Sequence, residues 1–365
     1  MSESRINLRN INLLLIFLFP IFFLIFGIKK QNEIHEKLMI QGIGIDLDEN
    51  ENYKITVQAY DFKNPEDKNN PRIRTLECHG QSVSESLENL KKSTGLYPMY
   101  SQNRIIIFGS TLAKKGIKKA IDFFSRYYEN RPSVKLRVAK EKAEDIIKSK
   151  IDGKIIKSSE LKDLIDEKSD TNILDFEKDI YNSYSDPSLF ILEKNKNEII
   201  CENLAIFNND SMIETLDKYE TMASMIIKNA PKIGVYSFKM KDNLISCNLE
   251  NAKTKVKTNI VDNIPIFYVE SKLKVVLLES YENFGDVKSI ESEIKNELDK
   301  NLKNIFEQSI KKSLSNKCDI FKFGKILRNK NPEYFKSIEW KNILGKIKFE
   351  ISINSEMSVI GMDNK

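Results

Sequence analysis

The chain alternates between two periods of apolar residues, and that alternation predicts most of its elements. Leu38 to Asp46 is an apolar run with two internal glycines, and Tyr53 to Tyr60 places Tyr53, Ile55, Val57 and Ala59 at every second position. The acidic turn Asp46 to Asn52 between them predicts a β-hairpin. After a polar loop, Asn64 to Pro71, the pattern predicts a strand at Ile73 to His79 and an amphipathic helix at Gln81 to Lys92. The β-branched run Arg104 to Phe108 predicts a buried strand. A helix over Thr111 to Tyr128 follows, then a strand over Val134 to Val138 and a helix over Glu141 to Ser149. Residues Asp152 to Asp186 have helical tendency and heavy charge, as a surface excursion would.

Further on, Ile199 to Phe207 reads as a strand, Asn208 to Ser211 as a turn and Met212 to Leu216 as the returning strand. Lys218 to Ile227 reads as a helix, and Ile233 to Phe238 with Leu244 to Leu249 as a pair of strands. Ile264 to Leu278 is a long strand. Val287, Ile290, Ile294, Leu298, Leu302, Ile305, Ile310 and Leu314 then recur every three to five residues. That spacing predicts one amphipathic helix of about 28 residues, roughly 42 Å long. Lys346 to Met357 alternates again and predicts a closing strand. The fold class expected is therefore α+β, with antiparallel-rich sheets in three small units at 31–190, 191–260 and 261–365.

Ahead of these units, Leu13 to Ile28 is apolar on every side, interrupted chemically only by Pro20 and flanked by Arg5, Arg9, Lys29 and Lys30. As a helix it covers about 24 Å, slightly less than a hydrocarbon core, and the flanking lysines can snorkel. The run ends in Leu24-Ile25-Phe26-Gly27-Ile28, without the small residues of a cleavage site. A retained membrane anchor over residues 1–30 is favoured over a cleaved signal. Basic residues on both sides decide orientation only weakly, with Glu33 and Glu36 tipping it toward an exported C-terminal portion.

Composition narrows the function by exclusion. With 41% hydrophobic and 30% charged residues the 365-residue chain has a folding composition. Its net charge of +5 is spread along the chain and forms no nucleic-acid-binding stripe. The four cysteines, Cys78, Cys201, Cys247 and Cys318, form no CxxC pair and read as buried free thiols, although distant disulfides remain compatible with the sequence. Phosphate-binding glycine loops, HExxH, GxSxG and EF-hand loops are missing. Cys78 and His79 are neighbours in a strand, so they point to opposite faces and form no dyad. No catalytic, cofactor-binding or metal-binding residue, and no cofactor, is predicted.

Several stretches together resemble the Ger(x)C family, the C subunits of spore germinant receptors. They are Glu33-Ile34 with Leu38 to Asp46 and Tyr53 to Gln58, carrying the GIGID core, then Gly80 to Leu90 and Arg104 to Gly116. Ala205 to Glu220 follows, and finally Asp319-Ile320-Phe321-Lys322-Phe323-Gly324 with Leu327, Arg328, Pro332 and Trp340. Most of these residues read as structural: Phe321, Phe323 and Gly324 as docking the end of the long helix, Trp340 as filling core, and Gly42 and Gly44 as close-packing positions. The resemblance implies three small α+β domains in tandem and a non-catalytic protein on the outer face of the spore inner membrane. It implies membrane-embedded A and B receptor subunits as partners, with the lipid bilayer and without nucleic acid, in the response to nutrients. Family members carry a lipidated cysteine after a glycine. Here Ile28 follows Gly27, so no lipidation residue is available and a helical anchor takes its place. The rival readings are an extracytoplasmic protein that binds the germinant itself, and a peptidoglycan hydrolase, for which no paired-carboxylate or metal motif is evident.

Overall fold

The computed structural model describes residues 36–62, 72–127, 129–164, 171–196, 198–230, 233–241, 243–280 and 287–359. The apolar run Leu13 to Ile28 and the loop Asn64 to Pro71 lie outside these residues. Among the described residues no helix is long and apolar enough to cross a membrane.

The strands in chain order are β1 (Lys37–Leu47), β2 (Tyr53–Asp61), β3 (Arg72–Gly80), β4 (Tyr97–Met99), β5 (Ile105–Phe108), β6 (Lys135–Ala139), β7 (Lys150–Ile151) and β8 (Lys154–Ile155). They continue as β9 (Ser188–Asn195), β10 (Glu198–Asn208), β11 (Ser211–Leu216), β12 (Gly234–Met240), β13 (Asn243–Val261), β14 (Ile264–Ser280) and β15 (Lys348–Val359). The helices are α1 (Val83–Thr94), α2 (Ser110–Lys115), α3 (Lys118–Arg126), α4 (Ala143–Ile147), α5 (Ser158–Asp163) and α6 (Ile173–Tyr181). Then come α7 (Lys218–Ile227), α8 (Val287–Ser315), α9 (Phe323–Lys330), α10 (Pro332–Ser337) and α11 (Trp340–Ile343). The α+β class expected from the sequence is the class observed.

Most strands join one mixed sheet in the order β11-β10-β9-β6-β5-β1-β2-β3, with β4 against β1. Its hairpins are antiparallel, while β1 with β5, β5 with β6, and β6 with β9 run parallel. Burial on both faces explains the unbroken apolar runs in β1 and β5. One face packs Leu87, Leu90, Ile121, Phe124 and Phe176, from α1, α3 and α6. The opposite face packs Ala143, Ile147 and Leu161, from α4 and α5.

The second sheet, β12-β13-β14-β15, is antiparallel except for the parallel pair β14–β15. The long helix α8 lies in the crossover between those two strands. Ile294, Leu298, Leu302, Phe306 and Ile310, four residues apart, are buried in the core that lines this sheet. Phe306 takes the buried place that the spacing assigned to Ile305, which is half-buried. Phe190, Leu204 and Ile206 of the first sheet enter the same core, so the two sheets share apolar packing.

Two expected boundaries fall inside strands, and two expected elements need correction. The boundary expected at 190/191 passes through β9, and β10 and β11 extend the first sheet rather than beginning a second. The boundary expected at 260/261 falls inside β13, which pairs with β14 through a two-residue turn. Asp262 and Asn263 both have positive φ there, 50° and 62°, as a tight hairpin turn demands. The single helix expected over Thr111 to Tyr128 is split into α2 and α3 at Gly116, whose φ is +119°. A side chain at Gly116 would lie 2.6 Å from Asp210 Oδ2 in the β10–β11 turn, and Ile117 N donates to Asp210 O. Finally, the charged stretch Asp152 to Asp186 is not wholly superficial, since Leu161, Ile173 and Phe176 are buried.

Candidate functional site

Two of the sequence signatures prove to be places where one carboxylate holds distant chain segments together. The first is GIGID, at Gly42 to Asp46. Gly42 and Gly44 lie beneath α5 and α4: a Cβ on Gly42 would meet Ser158 Oγ at 2.2 Å, and one on Gly44 would meet Ile147 Cγ1 at 3.1 Å. Asp46, buried at the end of β1, accepts hydrogen bonds from Ala143 N (2.8 Å) and Glu144 N (2.9 Å). It therefore caps α4 from 97 residues away, supplying the acceptor that Lys142 at the N-cap position does not. Burial raises the Asp46 pKa against the lowering effect of those two N–H groups. Alongside, Glu144 binds Lys54 Nζ (2.6 Å) and Lys148 Nζ (2.9 Å), which lowers its pKa to about 2, chiefly through the Lys54 hydrogen bond.

The second signature begins where α8 ends. Asp319 is fully buried and its carboxylate receives three donors. Oδ1 accepts from Phe323 N (3.0 Å), and Oδ2 accepts from Gly324 N (2.7 Å) and Trp340 Nε1 (3.3 Å). Lys322 at the N-cap of α9 is left-handed, with φ +63°, and provides no side-chain cap. Asp319 supplies that cap from three residues earlier, its two carboxyl oxygens meeting the first N–H groups of the helix. Burial, aided by the neighbouring Asp186, pushes its pKa up to about 7 despite the opposing N–H groups. Phe323 packs on Phe267 (4.9 Å between ring centroids) and Phe321 (5.5 Å), and Trp340 is buried beside them. The docking and core roles expected of Phe321, Phe323 and Trp340 are those observed. Gly324 is required because a Cβ there would lie 2.6 Å from Trp340 Nε1 and 2.8 Å from Tyr184 O.

Around Asp319 the segment from 179 to 188, which leads into β9, is latched to the C-terminal part of the chain. Asp319 N donates to Asp186 Oδ2 (3.0 Å) and Asp186 N donates to Asp319 O (3.0 Å). Lys341 Nζ reaches Asp186 Oδ1 (2.9 Å) and Asn208 Oδ1 (2.8 Å), while Lys322 Nζ reaches Asp179 Oδ1 (2.9 Å). Asp179, Asp186, Asn208 and Lys341 had no signal as a group, because their partners lie more than 130 residues apart in several cases. Asp319 had one, as an acidic residue just ahead of a helix start. Beside the latch lies a cavity of about 250 Å³ between α6, β9, α7 and the Ile320 to Lys322 turn.

Cys78 is buried and bonded to Ile55 O, while His79 is exposed on the other face of β3, as the strand geometry required. All four cysteines are unbridged. Burial pushes the thiols of Cys78, Cys247 and Cys318 up to about 12.

Comparison with known proteins bears directly on these two signatures. Residues 30–194 match the family described as the spore germination protein N-terminal domain. Residues 202–361 match the spore germination B3/GerAC-like C-terminal family. The chain belongs to the GerAC-like spore germination family. Asp46 lies in the N-terminal GerAC match, and Asp319 in the C-terminal one. Spore germination protein B3 of Bacillus subtilis (strain 168) is 21% identical over 362 residues, spanning 91% of this chain and 94% of that protein. The crystal structure of the GerBC protein superposes with a TM-score of 0.61 at 21% identity, over 87% of this chain and 96% of that one. That likeness shows that the GerAC-like chain has the GerBC fold. By homology it is of the germinant receptor C-subunit family.

Proposed function

We propose that this chain is the C subunit of a spore nutrient germinant receptor, a non-catalytic protein required for receptor assembly and germinant response. On this reading it acts on the outer face of the spore inner membrane beside the membrane-embedded A and B subunits. The single observation that carries the proposal is the pair of family matches, which together span nearly everything after the apolar run. The physical organisation is compatible with it: the two carboxylate nodes fix the fold and leave its outer surfaces available for partners. Leu13 to Ile28 supplies the anchor, since Ile28 stands where a lipidated cysteine would be. The domain layout we propose is that anchor followed by the two family segments.

The test is a germination assay on spores lacking this chain, scored against single nutrients and a non-nutrient trigger. Loss of some nutrient responses, restored by the intact gene and with the non-nutrient response preserved, is the expected result. Normal responses to every nutrient in a strain also cleared of paralogues would refute the receptor role. Anchoring is tested separately by alkaline extraction of membranes and N-terminal sequencing. A soluble, truncated protein would overturn the retained helix.

A further inference from the structure

The cavity beside the latch has a charge inventory that the architecture does not use up. Of the acidic groups on its wall, Asp179 is paired with Lys322 and Asp186 with Lys341. Two charged groups on the same wall form no direct ion pair among the described residues, although Asp179 and Asp319 lie near enough to Lys228 to attract its charge. Lys228, just past the end of α7, donates to Ser188 Oγ (3.0 Å) and reaches no carboxylate of the described residues. Asp175, in the first turn of α6, uses its backbone N–H to close the α6 cap, but its carboxylate forms no ion pair among the described residues. Deeper in, Ser224 is 1% exposed and lines the cavity, and its hydroxyl has no hydrogen-bond partner among the described residues. A buried hydroxyl left unpaired costs free energy unless something polar comes to it. Phe190, Met225 and Ile320 supply apolar wall.

We propose that this cavity binds a small zwitterion, its carboxylate on Lys228 and the Ser224 hydroxyl, its ammonium on Asp175, and its carbon frame against Phe190, Met225 and Ile320. A zwitterion would meet both charges at once, whereas a simple anion or cation would leave one of them to solvent. The cavity is concave, part apolar and furnished with few polar groups, as small-molecule sites are. It lies between α6 and β9 on one side and α7 with the Ile320 to Lys322 turn on the other, so an occupant would contact both sides of the latch. This assignment goes beyond the receptor-subunit reading and does not depend on it.

The experiment is calorimetric titration of the purified full chain, kept in detergent, with alanine, leucine and 5-aminovalerate, zwitterions of different size and charge separation. Isovalerate and isoamylamine serve as the carboxylate-only and ammonium-only controls. At least one zwitterion is expected to saturate a single site with a Kd of about 1 mM or tighter. Both controls should bind at least about tenfold more weakly. Asp175→Asn alters an exposed residue, and Lys228→Met keeps the length of the side chain and loses only its hydrogen bond to Ser188 Oγ. Each should weaken the zwitterion about tenfold. Lys228→Met should leave any isoamylamine binding unchanged, and Asp175→Asn any isovalerate binding. No saturation by any zwitterion below about 10 mM, or binding indifferent to both substitutions, would overturn the proposal. Because the titration needs only this chain, either result leaves the germination assay to decide receptor membership independently.

Discussion

Replacing Asp319 with alanine is the perturbation whose consequences are best defined by the structure. It removes the acceptor of three buried donors: Phe323 N, Gly324 N and Trp340 Nε1. Each orphaned group costs roughly 1–3 kcal/mol, giving a gross loss of about 3–9 kcal/mol. An opposing term depends on pH. Burial raises the Asp319 pKa from 3.8 to about 7, so the folded chain holds a proton that the unfolded chain has released between those values. Wild-type stability attributable to this group therefore falls as pH rises from about 4 to about 7, by on the order of 4 kcal/mol. Asp319→Ala does not carry that titration. Its cost relative to wild type should be largest below about pH 4, and should be smaller at pH 8 than at pH 5 by about 3 kcal/mol. Urea denaturation followed by tryptophan fluorescence reads this directly, because the chain has one tryptophan, Trp340, and it donates to the carboxylate in question. A loss under about 1 kcal/mol at pH 5, or a cost that grows with pH, would refute the assignment of Asp319 as a buried cap.

Three further outcomes are expected. Gly324→Ala should cost about 1–3 kcal/mol and shift Trp340 emission, since the added methyl is driven into the indole and Tyr184 O; unchanged emission and stability would count against that close approach. Asp46→Ala should cost roughly 2–4 kcal/mol and speed amide exchange at Ala143 and Glu144, whose N–H groups it holds; unchanged exchange there would exclude the capping role. Cys78, Cys247 and Cys318, buried and poorly ionised, should resist a disulfide reagent at neutral pH until the fold is opened, whereas half-buried Cys201 should react first. Equal rates for all four thiols in the native protein would contradict the burial assigned to those three.

The sequence by itself determined many of the strands and helices, though not β9, the length of β13 or the short helices α9 to α11, because periods of two and 3.6 are contained in a short window. The β1–β2 hairpin, the helix α7, the long helix α8 and the closing strand β15 were all legible this way. So were the glycines of GIGID and the aromatic residues after Asp319, through their residue types and through the family they resemble. Tertiary structure alone decided how the strands were shared out. Nothing local in β10 and β11 says that they extend the first sheet, and nothing in β15 says that it runs parallel to β14 across an intervening helix. The break at Gly116 depends on Asp210, and the latch at Asp319 depends on Asp186, 133 residues away. Periodicity fixes which face of an element is apolar. The partner that buries that face, and the polar groups trapped when it does, are fixed only when distant segments pack.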